Sequence, residues 1–294
     1  MKFISYKHHD QAYCGLLLGD RVLPFDGRRE LKLDSMLDLI EKMTPELAGE
    51  IAGRASSADD LLPLASVKLL APLPYPARNI FCLGKNYAEH AREIGATRIS
   101  ESGIPEVPIY FTKLAAPAIA HGDTIVFSYQ ATRQVDYEVE LAVIIGKEGI
   151  NIKIEEALDY VFGYTIVNDV TARDLQVNHK QWFKGKSLDS FCPMGPCIVY
   201  KDEIAGPVEL DIQCRVNGEL RQNSNTGNMI FDIPHIINDL SRGLTLKPGD
   251  IICTGTPSGV GIGFDPPRLL QNRDVVECYI QNIGYLTNQV IVQY

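Results

Sequence analysis

The sequence predicts a strand-rich α+β protein. Short strand-like runs far outnumber helical patterns, the two do not alternate regularly, and Gly, Pro, Asn and Asp punctuate nearly every run. A doubly wound parallel sheet would need strand and helix in regular succession, so it is excluded. The first unit is small. Phe3–Tyr6 and Tyr13–Leu18 have strand character, Gly19-Asp20 supplies a turn, and Arg21–Pro24 follows as a third strand. Leu33–Ile40 and Pro45–Ala52 carry apolar residues at helical spacing, with Asp34 or Ser35 placed to cap the first.

Next comes Ala71-Pro72-Leu73-Pro74-Tyr75-Pro76, whose prolines forbid helix and favour an extended linker. It places a domain boundary: a small N-terminal α/β domain at 1–72 and a larger domain at 73–294. In the larger one, strands are expected at Asn79–Leu83, Pro108–Thr112, Thr124–Phe127, Glu138–Ile145 and Tyr164–Asn168. Further strands are expected at Cys197–Tyr200, Val208–Val216, Asp250–Thr254, Val275–Ile280 and Gln289–Gln293. The helical patterns are Tyr87–Ile94, Ile154–Tyr160 and Ile233–Ser241.

The 294 residues are 45% apolar and 22% charged, ordinary for a globular protein. A net charge of −9, with no basic run interleaved with aromatics, excludes a nucleic-acid partner. No apolar run approaches a bilayer span, so no membrane partner is expected, and the N-terminal residues lack the apolar core of a signal peptide. Seven scattered cysteines without a CxxC argue against a disulfide framework or zinc ribbon and for a reducing, cytoplasmic setting.

The sharpest chemical feature is Val135-Asp136-Tyr137-Glu138-Val139-Glu140-Leu141. In a strand, Glu138 and Glu140 share one face, and adjacent carboxylates there need water or a cation between them. The ordinary alternative is the wet face of an amphipathic strand. Asp169, after the run Ile166-Val167-Asn168, adds an acid at a strand mouth, unless it serves only as a turn or N-cap residue. Three carboxylates without a neighbouring His or Cys suit a hard, oxygen-liganded divalent cation rather than zinc. Arg173 lies one turn beyond Asp169 if that segment is helical, and Gln176 lies three residues further.

Gly185-Lys186-Ser187 resembles part of a P-loop, but residue 180 is lysine where that motif needs its first glycine, so nucleotide binding is rejected. Thr254-Gly255-Thr256-Pro257-Ser258-Gly259-Val260-Gly261-Ile262-Gly263 has the glycine count of a dinucleotide loop, but Pro257, Pro266 and Pro267 exclude the helix that should follow. A backbone-lined loop touching a carboxylate is the better reading. In Gly84-Lys85-Asn86-Tyr87-Ala88-Glu89-His90-Ala91-Arg92-Glu93, His90 and Glu93 share a helical face and can form a hydrogen-bonded base pair. An exposed i,i+3 pair is the bland alternative. The polar stretch from Ala88 to Pro105 has the composition of a lid.

Six segments then occur in one order: GKNYAEHAREIG at 84–95, YFTK at 110–113, DYEVELAVIIGK at 136–147, NDVTARDLQ at 168–176, KGKSLDSFCPMGP at 184–196 and TGTPSGVG at 254–261. Together they resemble the fumarylacetoacetate hydrolase superfamily, in particular its smaller bacterial-type members. The resemblance implies a mixed β-roll catalytic domain, usually dimeric. It implies one Mg²⁺ or Mn²⁺ per chain, with Ca²⁺ possible, held by Glu138, Glu140 and Asp169. It implies His90 and Glu93 as a water-activating lid dyad, Lys186 as a catalytic and substrate-binding residue, and Arg173, Gln176 and Thr256 as substrate contacts. Lys113 matches more weakly, and Asp136 and Asn168 match supporting positions.

The expected substrate is a small anionic 2-oxo or 1,3-dioxo carboxylate, and the expected reaction is acylpyruvate-type C–C hydrolysis through a metal-stabilised enolate. Oxaloacetate decarboxylation or a 2-hydroxymuconate-type isomerisation on the same platform stays open. A non-catalytic, metal-stabilised binding protein is the remote alternative.

Overall fold

The computed structural model describes residues 1–25, 33–95, 103–115, 117–204 and 206–293. The first strands are β1 Lys2–His8, β2 Gln11–Leu18 and β3 Arg21–Pro24. Helices α1 Met36–Lys42 and α2 Pro45–Ala55 follow, then β4 Leu62–Pro63 and β5 Lys68–Leu70. Ser35 is the residue that caps α1, accepting from the Asp38 amide. Next come β6 Ile80–Gly84, α3 Ala88–Gly95, β7 Ile109–Lys113, β8 Thr124–Ser128, β9 Val135–Asp136 and β10 Val139–Ile145. The central part continues with β11 Val161–Asn168, β12 Thr171–Ala172, α4 Arg173–Asn178, α5 Phe183–Lys186 and β13 Met194–Tyr200. The chain closes with β14 Asp211–Val216, β15 Glu219–Asn225, α6 Ile233–Leu240, β16 Ile251–Cys253, β17 Val275–Ile280 and β18 Gly284–Gln293.

The fold is α+β and strand-rich. An 11-stranded sheet runs β4-β3-β2-β1-β13-β11-β10-β16-β6-β7, with β5 paired to β1. A 5-stranded sheet, β15-β14-β17-β18-β8, packs against it. The linker lies on this body: Ala71 and Leu73 are buried, and Ser5 Oγ donates to the Pro72 carbonyl at 2.7 Å. The sheet is continuous from the N-terminal strands into the rest, because β1 pairs with β13 through Lys2↔Val199 and Phe3↔Ile198.

Strand β10 explains how the site is placed. Alternation splits its side chains between two cores. Val139, Leu141, Val143 and Ile145 enter the core shared with the smaller sheet, beside Ile212, Val276 and Leu286. Ala142 and Ile144 enter the other, beside Phe3, Leu39 and Phe162. Glu138 and Glu140 have the parity of Ala142 and Ile144, but they stand at the start of the strand, where this face meets a cavity instead of α1.

Three sequence expectations change. Residues 154–160 wind as a 3₁₀ turn, not an α-helix. Arg173 does not lie one helical turn beyond Asp169, because Thr171–Ala172 is a bridge strand paired with β9 and the helix begins at Arg173 itself. Strand β15 was not foreseen: its sequence, ELRQNSN, is polar because it lies at a sheet edge, although the preceding Asn217-Gly218, both with positive φ, is a hairpin turn signal.

Candidate metal and acid–base site

Glu138, Glu140 and Asp169 converge: one carboxylate oxygen from each lies within 4.8 Å of the others, and all three residues are buried. The wet-face alternative for the glutamates is therefore excluded. Asp169 reaches them from the end of β11, its amide donating to the Glu138 carbonyl at 2.8 Å. Asn168 Oδ1 accepts from the Glu138 amide at 3.0 Å and fixes the turn from the other side.

Buried cations surround the triad. Lys186 Nζ donates to Glu138 Oε2 and to Asp169 Oδ2, each at 2.7 Å. Lys113 pairs with the other oxygen of Asp169 and donates to the Phe191 carbonyl at 2.6 Å. Arg173 Nη1 lies 2.7 Å from Glu138 Oε1, and its Nε donates to Asp136 at 2.9 Å. Burial opposes ionisation of Glu138, but Lys186, then Arg173 and His90, more than offset it and hold the carboxyl down to about 2. Glu140 differs. Burial, then Asp169 and Glu138, push it well above the usual carboxylate range. Its Oε2 accepts from the Gly255 amide at 2.9 Å, and among the described residues no cation pairs with it.

A hard divalent ion fits this donor set: three buried carboxylate ligands, with one negative charge left uncompensated at Glu140. Arg173 Nη2, a buried donor without a partner on a side chain that lines the cavity, calls instead for an anionic acceptor beside that ion.

The cavity is narrow and is walled by Lys85, His90, Phe111, Glu138, Glu140, Arg173, Gln176, Trp182, Lys186 and Thr256 among others. His90 is only 4% exposed, which excludes the exposed-pair alternative, and its Nδ1 lies 3.0 Å from Glu93 Oε2. The dyad thus sits on the rim of the triad, carried by α3. The rest of the expected lid falls partly on 96–102, outside the described residues. Gln176 Oε1 accepts from Arg173 Nη1 at 3.1 Å. The Thr256 hydroxyl is committed to the protein, donating to the Val139 carbonyl at 2.8 Å and accepting from Gln222 at 2.8 Å.

Several cavity residues had no role in the sequence reading. Lys85, buried and with φ of 58°, follows Gly84 into the cavity wall. A Cβ at Gly84 would lie 2.3 Å from the Trp182 ring, so the glycine lets the indole close the cavity beside Phe111. Gln222 ties the site to β15 by accepting from the Val139 amide at 3.1 Å. Gly84, Lys85 and Phe111 lie inside the recognised segments, whereas Trp182 and Gln222 lie outside them.

The family profile described as fumarylacetoacetate (FAA) hydrolase C-terminal matches residues 79–291, and one described as Rv2993c-like, N-terminal, matches residues 1–72. The chain belongs to the fumarylacetoacetate hydrolase family. Among family relatives, the oxaloacetate tautomerase YisK of Bacillus subtilis is 46% identical over 304 residues, covering 99% of this chain and 100% of its own. A fumarylacetoacetate hydrolase from psychrophilic Exiguobacterium antarcticum is 40% identical, with a TM-score of 0.84 and full coverage of both chains. Maleylpyruvate hydrolase from Sphingobium sp. SYK-6, solved with manganese(II) and pyruvate, is 29% identical, with a TM-score of 0.80 and full coverage of both chains. As a member of this family the protein is an enzyme, and no helix among its described residues is long and apolar enough to cross a membrane.

Proposed function

We propose that this enzyme interconverts the enol and keto forms of oxaloacetate or a closely similar 2-oxo dicarboxylate, with one Mg²⁺ or Mn²⁺ held by Glu138, Glu140 and Asp169. The observation that carries the reading is the His90–Glu93 dyad beside the buried triad, with His90 lining the same cavity as Glu138 and Glu140. A bound divalent ion would supply an anchor for the 2-oxo carboxylate and a counter-charge for its oxo oxygen as that oxygen becomes anionic.

The protein's own groups do the rest. Arg173, Gln176 and Lys186 hold the carboxylate end and turn C3 toward His90. With Nδ1 engaged by Glu93, Nε2 is the nitrogen left to take a proton from C3 and release it to the oxo oxygen, or to carry it the other way. Thr256 shapes the wall with its backbone, its hydroxyl being already engaged. Trp182, Phe111 and Ile94 keep bulk water from the proton in transit. The tautomerase relative, similar over the full chain, supports this reading.

The Sphingobium hydrolase favours a second reading, acylpyruvate hydrolysis, in which the same imidazole would deprotonate a water aimed at the distal carbonyl carbon. Decarboxylation of oxaloacetate would need no base at all.

A cytoplasmic homodimer belongs to the proposal. All seven cysteines are buried and free, as a reducing compartment requires. Exposed Val107, Leu114 and Phe183 lie on or beside the edge strand β7, where a second copy would cover them. We also place the catalytic unit at 73–294, with 1–72 extending its sheet.

The test follows the ultraviolet absorbance of enol-oxaloacetate under saturating Mn²⁺, alongside pyruvate release from oxaloacetate and acetylpyruvate. Enol loss should outrun both pyruvate reactions. His90→Ala should lower kcat for tautomerisation by about 10²–10⁴-fold with little change in Mn²⁺ affinity. A wild-type rate in His90→Ala rejects the assigned base. Acetylpyruvate cleavage faster than enol loss rejects tautomerisation in favour of hydrolysis.

A further inference from the structure

We infer that the loop 257–263 is a socket for the Glu93 carboxylate, and that docking into this socket sets the working position of His90. The Gly259 amide donates to Glu93 Oε1 at 2.9 Å. A Cβ at Gly263 would lie 2.3 Å from Glu93 Oε1 and 2.5 Å from both Cγ and Cδ, and those are its three nearest heavy atoms. Gly263 does not have the positive φ that would make glycine a backbone necessity, so what the position exploits is the missing side chain. A second tie joins the same two elements: Ser258 Oγ donates to Glu89 Oε2 at 3.2 Å. Helix α3 spans only eight residues, too short to hold itself in place, so its position depends on contacts of this kind.

The socket is braced from behind. The Gly261 and Ile262 amides donate to Asp136 at 2.7 and 3.0 Å. The same carboxylate accepts from Arg173 Nε, while Arg173 Nη1 holds Glu138 and Gln176. Tyr137 adds a bond from its hydroxyl to the Gly259 carbonyl at 3.0 Å. One connected set of bonds therefore runs from the carboxylate-binding arginine, through Asp136 and the loop, to Glu93 and His90. Gly259, Gly263 and Asp136 are positioning residues in this arrangement, since none reaches the reacting atoms.

The expected effect on rate rests on the dyad's proposed role, whereas docking is read independently. The test uses the full-length, Mn²⁺-loaded enzyme with oxalate, a planar dianion that matches the oxygen spacing of a 2-oxo acid's enolate. In wild type, oxalate should slow amide exchange over residues 88–95 by at least about tenfold. Gly263→Ala and Glu93→Ala should each abolish that protection and lower kcat by about 10–100-fold, with Mn²⁺ affinity held within about twofold. The decisive variant is the double one. If the methyl added at position 263 acts only by evicting Glu93, Gly263→Ala/Glu93→Ala should be no slower than Glu93→Ala alone. Wild-type protection in Gly263→Ala, or losses that multiply in the double variant, would overturn the socket. Loss of protection beside a wild-type rate in His90→Ala would leave the socket standing and remove the dyad's catalytic role.

Discussion

Glu140→Gln should separate metal binding from folding. Of the four carboxylates buried around the site among the described residues, Asp136, Glu138 and Asp169 each meet at least one of Lys113, Arg173 and Lys186, whereas among those residues Glu140 meets only the Gly255 amide. Burial and its two acidic neighbours raise the Glu140 carboxyl well above its ordinary value of 4.5. The folded metal-free protein therefore binds this proton more tightly than the unfolded chain does. The resulting stability is fully present below the unfolded value and is lost as the pH rises through the folded one. Glutamine does not titrate and escapes that loss.

For the wild type, Mn²⁺ at about a hundredfold over its Kd should add about 2.7 kcal/mol. An unfolding entropy of about 2.1 cal/mol/K per residue gives about 0.6 kcal/mol/K over 294 residues, so Tm should rise by about 4 °C. Scanning calorimetry at about pH 8 should find that rise in the wild type and less than about 1 °C in Glu140→Gln at the same Mn²⁺. Without metal, the variant should melt no lower than the wild type. A wild-type metal shift in the variant, or a metal-free variant several degrees less stable, would refute the assignment of Glu140 as the uncompensated ligand.

Lys113→Met should destabilise the fold by about 3–5 kcal/mol, since it strips one cation from buried Asp169 and leaves the Phe191 carbonyl without its donor. By the same slope Tm falls by about 5–8 °C, and a fall under about 2 °C would mean that the pair contributes little. Arg173→Lys keeps the charge, but one ammonium cannot span Asp136, Glu138 and Gln176, so KM for oxaloacetate should rise by about 10–100-fold in steady-state assays. An unchanged KM would remove Arg173 from carboxylate recognition.

The triad was legible because β10 obeys a period of two, and period alone puts Glu138 and Glu140 on one face. Burial was not legible. Nothing local distinguishes a wet glutamate face from one sealed beneath α3, and only the meeting of β10 with the end of β11 decides it. His90 and Glu93 could be paired from helical spacing, but Glu93's second partner lies 166 residues away at Gly259, a contact no local pattern encodes. The sequence of loop 254–263 points to a backbone-lined loop touching a carboxylate. In the structure its amides serve three of the protein's own, on Glu140, Glu93 and Asp136. Strand β15 escaped notice because an edge strand needs few apolar residues, and its buried Gln222 looks like any polar residue in the sequence.

The shared sheet has a consequence for how the molecule avoids sticking to itself. Strand β13 gives one edge to β11 and the other to β1, so the N-terminal strands act as a built-in cover for backbone that would otherwise lie bare. Phe3 adds the side-chain half of that cover, its ring packing within about 6 Å of both Phe162 and Tyr200. Without residues 1–72, the strand next to the pair that carries the acidic triad would offer unsatisfied amides and an aromatic face to any passing chain. The larger sheet instead ends on one side in the two-residue strand β4, too short to template another strand.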